Sequence, residues 1–180
     1  MFAGVHERLP FELSLRAFVR LDVVAKHTEQ IELLRNCGLV HCFVGVETFH
    51  PVAGKIIGKG MTEQQKKDTL YMMSKAWGKE VSIAAGYIIG LPGEDIEFLN
   101  RQVEWFAEED NPINNVVHFS PLVIFPVGAG EFTPRSAIDK DPGKFGYTIP
   151  DMTKYNFWVK SEDDGSGILD YMTADKYADE

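Results

Sequence analysis

The feature that most constrains the fold is a series of short, almost entirely apolar segments that alternate with segments of helical periodicity. The clearest of them, Val81–Gly90, contains no charged residue. Strands of this kind are buried on both faces, which is typical of parallel sheets covered by helices. Four such strands are predicted: Ala17–Val23, Leu39–Val46, Val81–Gly90 and Asn115–Ser120.

Three helices are predicted between these strands, and two of them carry recognisable ends. Thr28 and Thr62 are expected to begin the first two helices, and Gly38 and Gly78 to end them. The third helix is predicted over residues 94–108, and four apolar residues are expected to form its inward face: Ile96, Leu99, Val103 and Phe106. The β-α-β-α-β-α-β order predicts right-handed crossovers and a parallel sheet.

Composition narrows the class of protein. The chain has 180 residues, is 44% hydrophobic and carries a formal net charge of −9. One globular domain with a real core is expected, and the acidic balance does not support binding to a nucleic-acid backbone. No apolar run approaches the roughly 20 residues of a membrane helix. The N-terminus does not resemble a signal peptide, and two cysteines are too few for a disulfide scaffold, so a cytoplasmic location is expected.

The character of the sequence changes after Pro121. Residues from about 126 onward are rich in Pro, Gly, Asp and Lys and show no clear period. The predicted organisation is therefore a β/α domain over residues 1–125 and an irregular extension over residues 126–180 that packs on it. Tyr155, Phe157 and Trp158 are expected to anchor that extension.

Three stretches carry groups suited to chemistry at the ends of predicted strands. The first is Arg20-Leu21-Asp22, and the second is Gly45-Val46-Glu47-Thr48, with Lys59-Gly60-Met61-Thr62 downstream. The third is Gly86-Tyr87-Ile88-Ile89-Gly90-Leu91-Pro92-Gly93-Glu94. In order and spacing they resemble the later barrel strands of radical S-adenosylmethionine (SAM) enzymes, especially the cobalamin-binding and methylthiotransferase branches. The resemblance covers about residues 16 to 126.

The resemblance implies an α/β fold of parallel strands, a partial (β/α) TIM-like barrel that is incomplete on its N-terminal side. The carboxyl ends of parallel barrel strands meet at one mouth, where reactive groups belong. Glu47 follows apolar residues, so its carboxylate emerges where the strand stops and can accept hydrogen bonds from ribose hydroxyls. The resemblance implies contact with SAM, and a local cap or salt bridge is the alternative. Arg20 and Asp22 are expected on one strand face, to contact the ligand or to pair with each other or with Glu47.

Gly86 and Gly90 are expected to weaken the third strand. Glycine inside a strand often marks a place where another group approaches the backbone closely. The resemblance implies that this group is the adenine of SAM, with Ile88 packing on the ring. Tight packing of a helix on the sheet explains Gly90 as well. Glu94 is expected to act as a capping residue at the start of the following helix. Downstream, Pro126-Val127-Gly128-Ala129 departs from the family's usual Pro-Gly-Thr sequence.

The family's iron–sulfur cluster requires three thiolates, normally as Cys-x3-Cys-x2-Cys after the first strand. This chain has only Cys37 and Cys42, which do not have that spacing, and its histidines show no spacing typical of metal ligands. We therefore expect a 4Fe-4S cluster and SAM in the parent enzyme, no cluster ligand in this chain, and no SAM cleavage by the chain alone.

Two functional hypotheses follow. In the first, the chain is a fragment of a radical SAM enzyme that supplies part of the SAM pocket and the substrate-facing half. In the second, it is a non-catalytic partial barrel that binds a ligand or a protein. The expected partner is the missing N-terminal barrel segment or a second copy joined through the edge strand near Ala17–Val23. Three cysteines encoded upstream of Met1 would favour the first hypothesis.

Overall fold

The computed structural model describes residues 8–125, 136–149 and 159–160, together with Ala174, Lys176 and Ala178. The chain divides into two compact units. The first unit comprises Met1–Val46, Met61–Tyr87 and Glu104–His118. The second unit comprises Glu47–Gly60, Ile88–Val103 and Phe119–Glu180. The predicted boundary between residues 125 and 126 stays a prediction, and the anchors Tyr155, Phe157 and Trp158 lie outside the described residues.

In the described chain, one or two helices follow each of the first three strands. In order they are β1 (Leu15–Val19), α1 (Leu21–Lys26), α2 (Gln30–Asn36), β2 (Leu39–Glu47), α3 (Pro51–Ile56), α4 (Glu63–Trp77), β3 (Ser82–Ile89), α5 (Ile96–Phe106), β4 (Val117–Pro121), α6 (Ala137–Lys140), β5 (Tyr147–Thr148) and β6 (Val159–Lys160). A 3₁₀ turn over Gly143–Phe145 lies between α6 and β5.

The first four strands form one parallel sheet in the order β1-β2-β3-β4. In the pairing of β1 with β2, Phe18 lies opposite Phe43. Along β2 the buried residues Cys42, Val44 and Val46 alternate with partly exposed ones, so one face of the strand is covered and the other is more open. The parallel α/β sheet predicted from the alternating pattern is confirmed.

Helices α1, α2 and α4 pack together in the first unit. The indole Nε1 of Trp77, which is 1% exposed, donates to the carbonyl of Ile31 at 2.8 Å. Thr62 begins α4 with a capping box shared with Gln65, and Gly78 follows its last residue at φ 55°, as predicted. The predicted cap at Thr28 is wrong, because α2 begins after Glu29 and no side chain caps it.

The first predicted strand is too long at its carboxyl end. β1 ends at Val19, and the carbonyl of Arg20 accepts hydrogen bonds from Val23 N and Val24 N, which begins α1. Asp22 in the first turn of this helix favours its amino end electrostatically. The expectation that Arg20 and Asp22 share one strand face is therefore wrong.

Helix α5 has the predicted spacing but a different buried face. Ile96 is 48% exposed and Val103 is 40% exposed. The buried residues are Phe98, Leu99, Gln102 and Trp105. The Asp95 carboxylate accepts from Phe98 N at 2.7 Å and fixes the first turn. Because the large side chains Phe98 and Trp105 lie on one face with Leu99, they define the inward side in place of Ile96 and Val103.

Within the second unit, Asp139 connects the beginning of the described C-terminal segment to Phe125. Ser136 begins α6 with a capping box shared with Asp139. The other carboxylate oxygen of Asp139 accepts from Phe125 N at 2.8 Å. Among the described helices, none combines the length and the apolar character that crossing a membrane requires.

Candidate functional site

The candidate site lies in the second unit and begins where β2 ends. Glu47 has φ 65°, and it is the one non-glycine residue with positive φ among those that the structure describes. This conformation is unfavourable for a residue with a Cβ by about 1 kcal/mol or more. The carboxylate is 26% exposed and lies 3.5 Å from Lys59 Nζ. The local salt bridge that was the alternative explanation for Glu47 is therefore present.

A buried pair of polar side chains lies directly after Glu47. Thr48 and Glu94 are both 0% exposed, and Thr48 Oγ1 donates to Glu94 Oε1 at 2.5 Å. The same hydroxyl accepts from His50 N at 2.9 Å, and Glu94 Oε2 accepts from Leu91 N at 3.1 Å. Glu94 is thus a buried link between the residues that follow β2 and those that follow β3. The expectation that Glu94 is a capping residue at the start of the following helix does not account for these buried bonds.

The turn after β3 depends on two glycines. Gly90 has φ 89° and Gly93 has φ 88°, a region that side-chain-bearing residues rarely adopt. A Cβ at Gly93 would lie 2.7 Å from Cε1 of His50, so the histidine ring occupies that space. The Gly90 carbonyl accepts from the Tyr147 hydroxyl at 2.7 Å. The turn itself therefore requires Gly90 and Gly93, and the predicted contact of Gly90 with adenine stays a prediction.

His50 connects the turn after β3 to α3. Its Nδ1 accepts from Ala53 N at 3.3 Å and caps α3, while its ring packs edge-on against Phe98 at a centroid distance of 5.1 Å. Desolvation lowers the pKa of His50, and the Asp95 carboxylate opposes this effect. The imidazole therefore favours the neutral form that the cap requires.

Gly86 lies in the first unit, and the group that approaches its backbone is a side chain of this protein. A Cβ at Gly86 would lie 3.0 Å from Cζ of Phe43. The Phe43 ring continues a row that includes Phe18, at 5.3 Å between centroids, and His118, at 5.7 Å. Packing of Phe43 explains this glycine without a ligand, and its predicted contact with adenine stays a prediction.

Arg20 and Asp22 form an ion pair with each other in the first unit. Arg20 Nε and Nη2 donate to the two carboxylate oxygens of Asp22 at 3.0 and 2.8 Å. This hydrogen bonding, together with the charge of Asp22, raises the pKa of Arg20. The sequence left three alternatives for these residues: contact with the ligand, pairing with each other or pairing with Glu47. The structure shows that they pair with each other.

Three of the other predicted ligand contacts lie in the second unit: Glu47, Ile88 and Gly90. In this unit the Thr48–Glu94 bond joins the residues that follow β2 to those that follow β3.

The thiols do not fit the ligand set of an iron–sulfur cluster. Cys37 and Cys42 are both buried, and burial raises the pKa of the Cys42 thiol to about 12, which disfavours the thiolate that metals bind. Within the part of the chain that the structure describes, no three His, Cys, Asp or Glu side chains converge as metal ligands would.

Sequence reasoning did not assign several residues of this site. Thr48 and Lys59 lie within the quoted motifs, and their position next to the Glu47 strand end was the available signal. His50 precedes Pro51, a proline at the first helical position, which is a cap signal that could have been used. Nothing in the sequence around Tyr147 indicates its bond to Gly90.

A curated protein of known sequence is similar to part of this chain. The chain is 28% identical over 108 residues to the heme chaperone HemW of Lactococcus lactis subsp. lactis (strain IL1403), and the match covers 60% of this chain and 28% of HemW. The chain thus spans less than a third of that relative's length. No protein-family profile matches the chain.

Two solved structures share the fold. The radical SAM methyltransferase TsrM from Kitasatospora setae, solved with cobalamin and a [4Fe-4S] cluster, has a TM-score of 0.55 at 20% identity, and the match covers 69% of this chain and 24% of TsrM. The cobalamin-dependent SAM radical enzyme OxsB, solved with aqua-cobalamin and SAM, has a TM-score of 0.51 at 19% identity, over 61% of this chain and 16% of OxsB. These structures confirm the predicted resemblance at the level of the fold.

Proposed function

We propose that this chain is part of a radical SAM enzyme and supplies the side of the SAM pocket that holds the nucleoside. The single observation that carries the proposal is the strained Glu47 at the end of β2. Its neighbour Thr48 is bonded to Glu94 in the turn that follows β3. Strained backbone at the carboxyl end of a parallel strand is typical of residues that a functional site must hold in one direction.

The roles of the proposed contacts follow from their chemistry. The Glu47 carboxylate accepts hydrogen bonds from ribose hydroxyls in competition with its partly buried partner Lys59. The Gly90 backbone and the Ile88 side chain contact the adenine, which is planar and apolar on its faces. In a parent enzyme that also holds an iron–sulfur cluster, SAM bound at this pocket would supply radical chemistry. This chain has no thiolate set for that cluster, so it does not cleave SAM alone.

Calorimetric titration of the full chain tests the nucleoside site. SAM and 5′-methylthioadenosine are the probes, and the second lacks the amino and carboxylate groups that a cluster iron would hold. Both are expected to bind. The Glu47→Gln variant is expected to bind 5′-methylthioadenosine about tenfold more weakly, because a charged hydrogen-bond acceptor is lost.

Glu97→Gln is the matched control for this titration. Glu97 belongs to the same unit, is 87% exposed and pairs with Arg101 at 3.0 Å, so its substitution is expected to leave the affinity unchanged. Absence of binding to both probes by the unmodified chain would reject the proposed nucleoside site. If Glu47→Gln binds 5′-methylthioadenosine as tightly as the unmodified chain, the role of Glu47 in ribose binding is rejected, but the nucleoside site is not.

The second candidate function is a non-catalytic module that binds a ligand or a protein. The observation that favours it is Phe18 on β1, which is 88% exposed beside Phe43. An aromatic side chain this exposed at the edge of a sheet suits a protein contact. A chain that binds neither probe yet self-associates through β1 would support this second function over the first.

A further inference from the structure

The Tyr147 hydroxyl forms a buried hydrogen bond with the turn after β3, although Tyr147 lies 57 positions later in the chain. The side chain is 2% exposed, and its Oη donates to the Gly90 carbonyl at 2.7 Å. Burial and the charge of Glu94 raise the pKa of Tyr147, so the hydroxyl keeps the proton that it donates.

The backbone around Tyr147 fixes the direction of its side chain. Tyr147 N donates to the Pro142 carbonyl at 3.1 Å, and Gly146 before it has φ 84°. Tyr147 and Thr148 form β5, which pairs with β6. The phenol is therefore presented to Gly90 by a turn and a strand pair, and it is not a flexible side chain that happens to reach the turn.

The Gly90–Leu91 peptide group is bonded on both sides by buried side chains. Its carbonyl oxygen accepts from Tyr147, and its N–H donates to Glu94 Oε2 at 3.1 Å. The other oxygen of Glu94 accepts from Thr48, which follows Glu47 directly. A continuous series of hydrogen bonds thus runs from Tyr147 through one peptide plane and one carboxylate to the residue after Glu47.

We infer that Tyr147 is a positioning residue of the nucleoside site. It fixes the plane of the Gly90–Leu91 peptide and, through Glu94 and Thr48, the direction of the Glu47 side chain. This inference rests on the proposed function, because it assigns Tyr147 to the same site. It also assigns the C-terminal segment to ligand binding, a role that its sequence does not suggest.

The Tyr147→Phe variant of the full chain tests the inference, because it keeps the ring and removes only the donor. Glycine labelled with ¹³C at the carbonyl and leucine labelled with ¹⁵N give one amide signal for each Gly–Leu peptide, and the sequence contains two: Gly38–Leu39 and Gly90–Leu91. The Gly90–Leu91 signal is expected to move in Tyr147→Phe. The Gly38–Leu39 signal is expected to stay, which also shows that the variant is folded.

Affinity for 5′-methylthioadenosine is the second measurement. Tyr147→Phe is expected to bind about five- to tenfold more weakly than the unmodified chain, as one buried neutral hydrogen bond no longer orders the site. Thr62→Ala is the matched control. It removes the capping box of α4 in the first unit and so lowers stability without touching this series of bonds, and its affinity is expected to stay unchanged.

The outcomes separate the inference from the proposed function. A Gly90–Leu91 signal that does not move, or an unchanged affinity in Tyr147→Phe, would overturn the positioning role while the nucleoside site stands. A loss of affinity of the same size in Thr62→Ala would also overturn it, since general stability would then explain the effect. If the unmodified chain does not bind the probe, the proposed function is rejected and this inference with it.

Discussion

Glu47 and Thr48 are adjacent residues, but different means hold them in place. Glu47 has an unfavourable positive φ and a partly exposed carboxylate, whereas Thr48 is fully buried and uses its hydroxyl both as donor and as acceptor. A buried hydroxyl with partners on both sides fixes the backbone locally, because loss of one partner would leave a buried polar group unsatisfied. The strain at Glu47 is thus maintained by the residue that follows it.

His50 gives this region a dependence on pH. Desolvation lowers the pKa of His50 below the ordinary histidine value of about 6.5, so the unfolded chain takes up the proton more readily than the folded one. The stabilisation of the folded state by neutral His50 is therefore complete above about pH 6.5, and it is lost as the pH falls. Protonation also removes the Nδ1 lone pair that accepts from Ala53 N.

We predict that the free energy of unfolding falls more steeply on acidification in the unmodified chain than in His50→Asn. Asparagine keeps a side-chain acceptor at the start of α3 but does not titrate. Urea denaturation at several pH values between about 5.5 and about 7.5, on both sides of the histidine pKa, measures the difference. Parallel pH profiles of the two proteins would contradict the prediction.

At the scale of elements, the open face of the first unit is organised by one glycine in β3. Gly86 leaves room for the Phe43 ring, which lies between Phe18 and His118 in a row of aromatic side chains. An aromatic ring that covers a glycine on a neighbouring strand restores the packing that the missing side chain would have supplied. The glycine and the phenylalanine are therefore coupled.

We predict that Gly86→Ala lowers the free energy of unfolding by about 1 kcal/mol in the unmodified chain, because the new methyl group displaces the Phe43 ring. In the Phe43→Ala background the same substitution is expected to be nearly neutral. A double-mutant cycle measured by urea denaturation gives the coupling. An equal effect of Gly86→Ala in both backgrounds would show that Phe43 is not the group that needs the space.

The sequence predicted the elements whose signals are local. The apolar runs of β2 and β3, the Thr62 cap and the glycines at 38 and 78 lie where they were expected. The first strand was predicted too long because Arg20 to Val24 carries both apolar and charged residues, and the choice between strand and helix depends on the Arg20 carbonyl as a helix acceptor. A single sequence does not contain that information.

The site was predictable only in part, for a related reason. Glu47 and the Gly90 turn could be located because a polar or glycine residue ends an apolar run. Glu94 is bonded to Thr48 across 46 positions of the chain, and Tyr147 is bonded to Gly90 across 57 positions. Such bonds leave no periodic signal. The phase of α5 was wrong because its buried face is selected by Phe98 and Trp105 in tertiary packing.

At the scale of the whole molecule, the edge of the main sheet at β1 is the feature most relevant to assembly. Among the described strands, β1 pairs with β2 alone, so its other edge has no strand beside it. Leu15 and Phe18 on this short strand are 38% and 88% exposed. An edge strand with exposed apolar side chains pairs readily with another chain. The proposed partners are a barrel segment from the amino-terminal side or a second copy of this chain.

We predict that the chain self-associates through β1 and that Phe18→Lys reduces the dimeric fraction, because a charge on an edge strand opposes pairing. Light scattering over a range of concentrations measures the change. Val52→Lys is the matched control, since Val52 is also exposed, at 55%, but lies on α3. A monomeric unmodified chain, or an equal effect of the control, would exclude this mode of association.

The bond between Tyr147 and Gly90 affects when, during synthesis of the chain, the turn after β3 can take its final conformation. Translation delivers β2, β3 and the turn after them well before the phenol, which leaves the ribosome 57 residues behind Gly90. Until then the Gly90 carbonyl lacks this donor, and the turn cannot take its final orientation by this route. A nascent chain that stops short of residue 147 can therefore contain every strand of the main sheet and still hold its glycine turn only loosely.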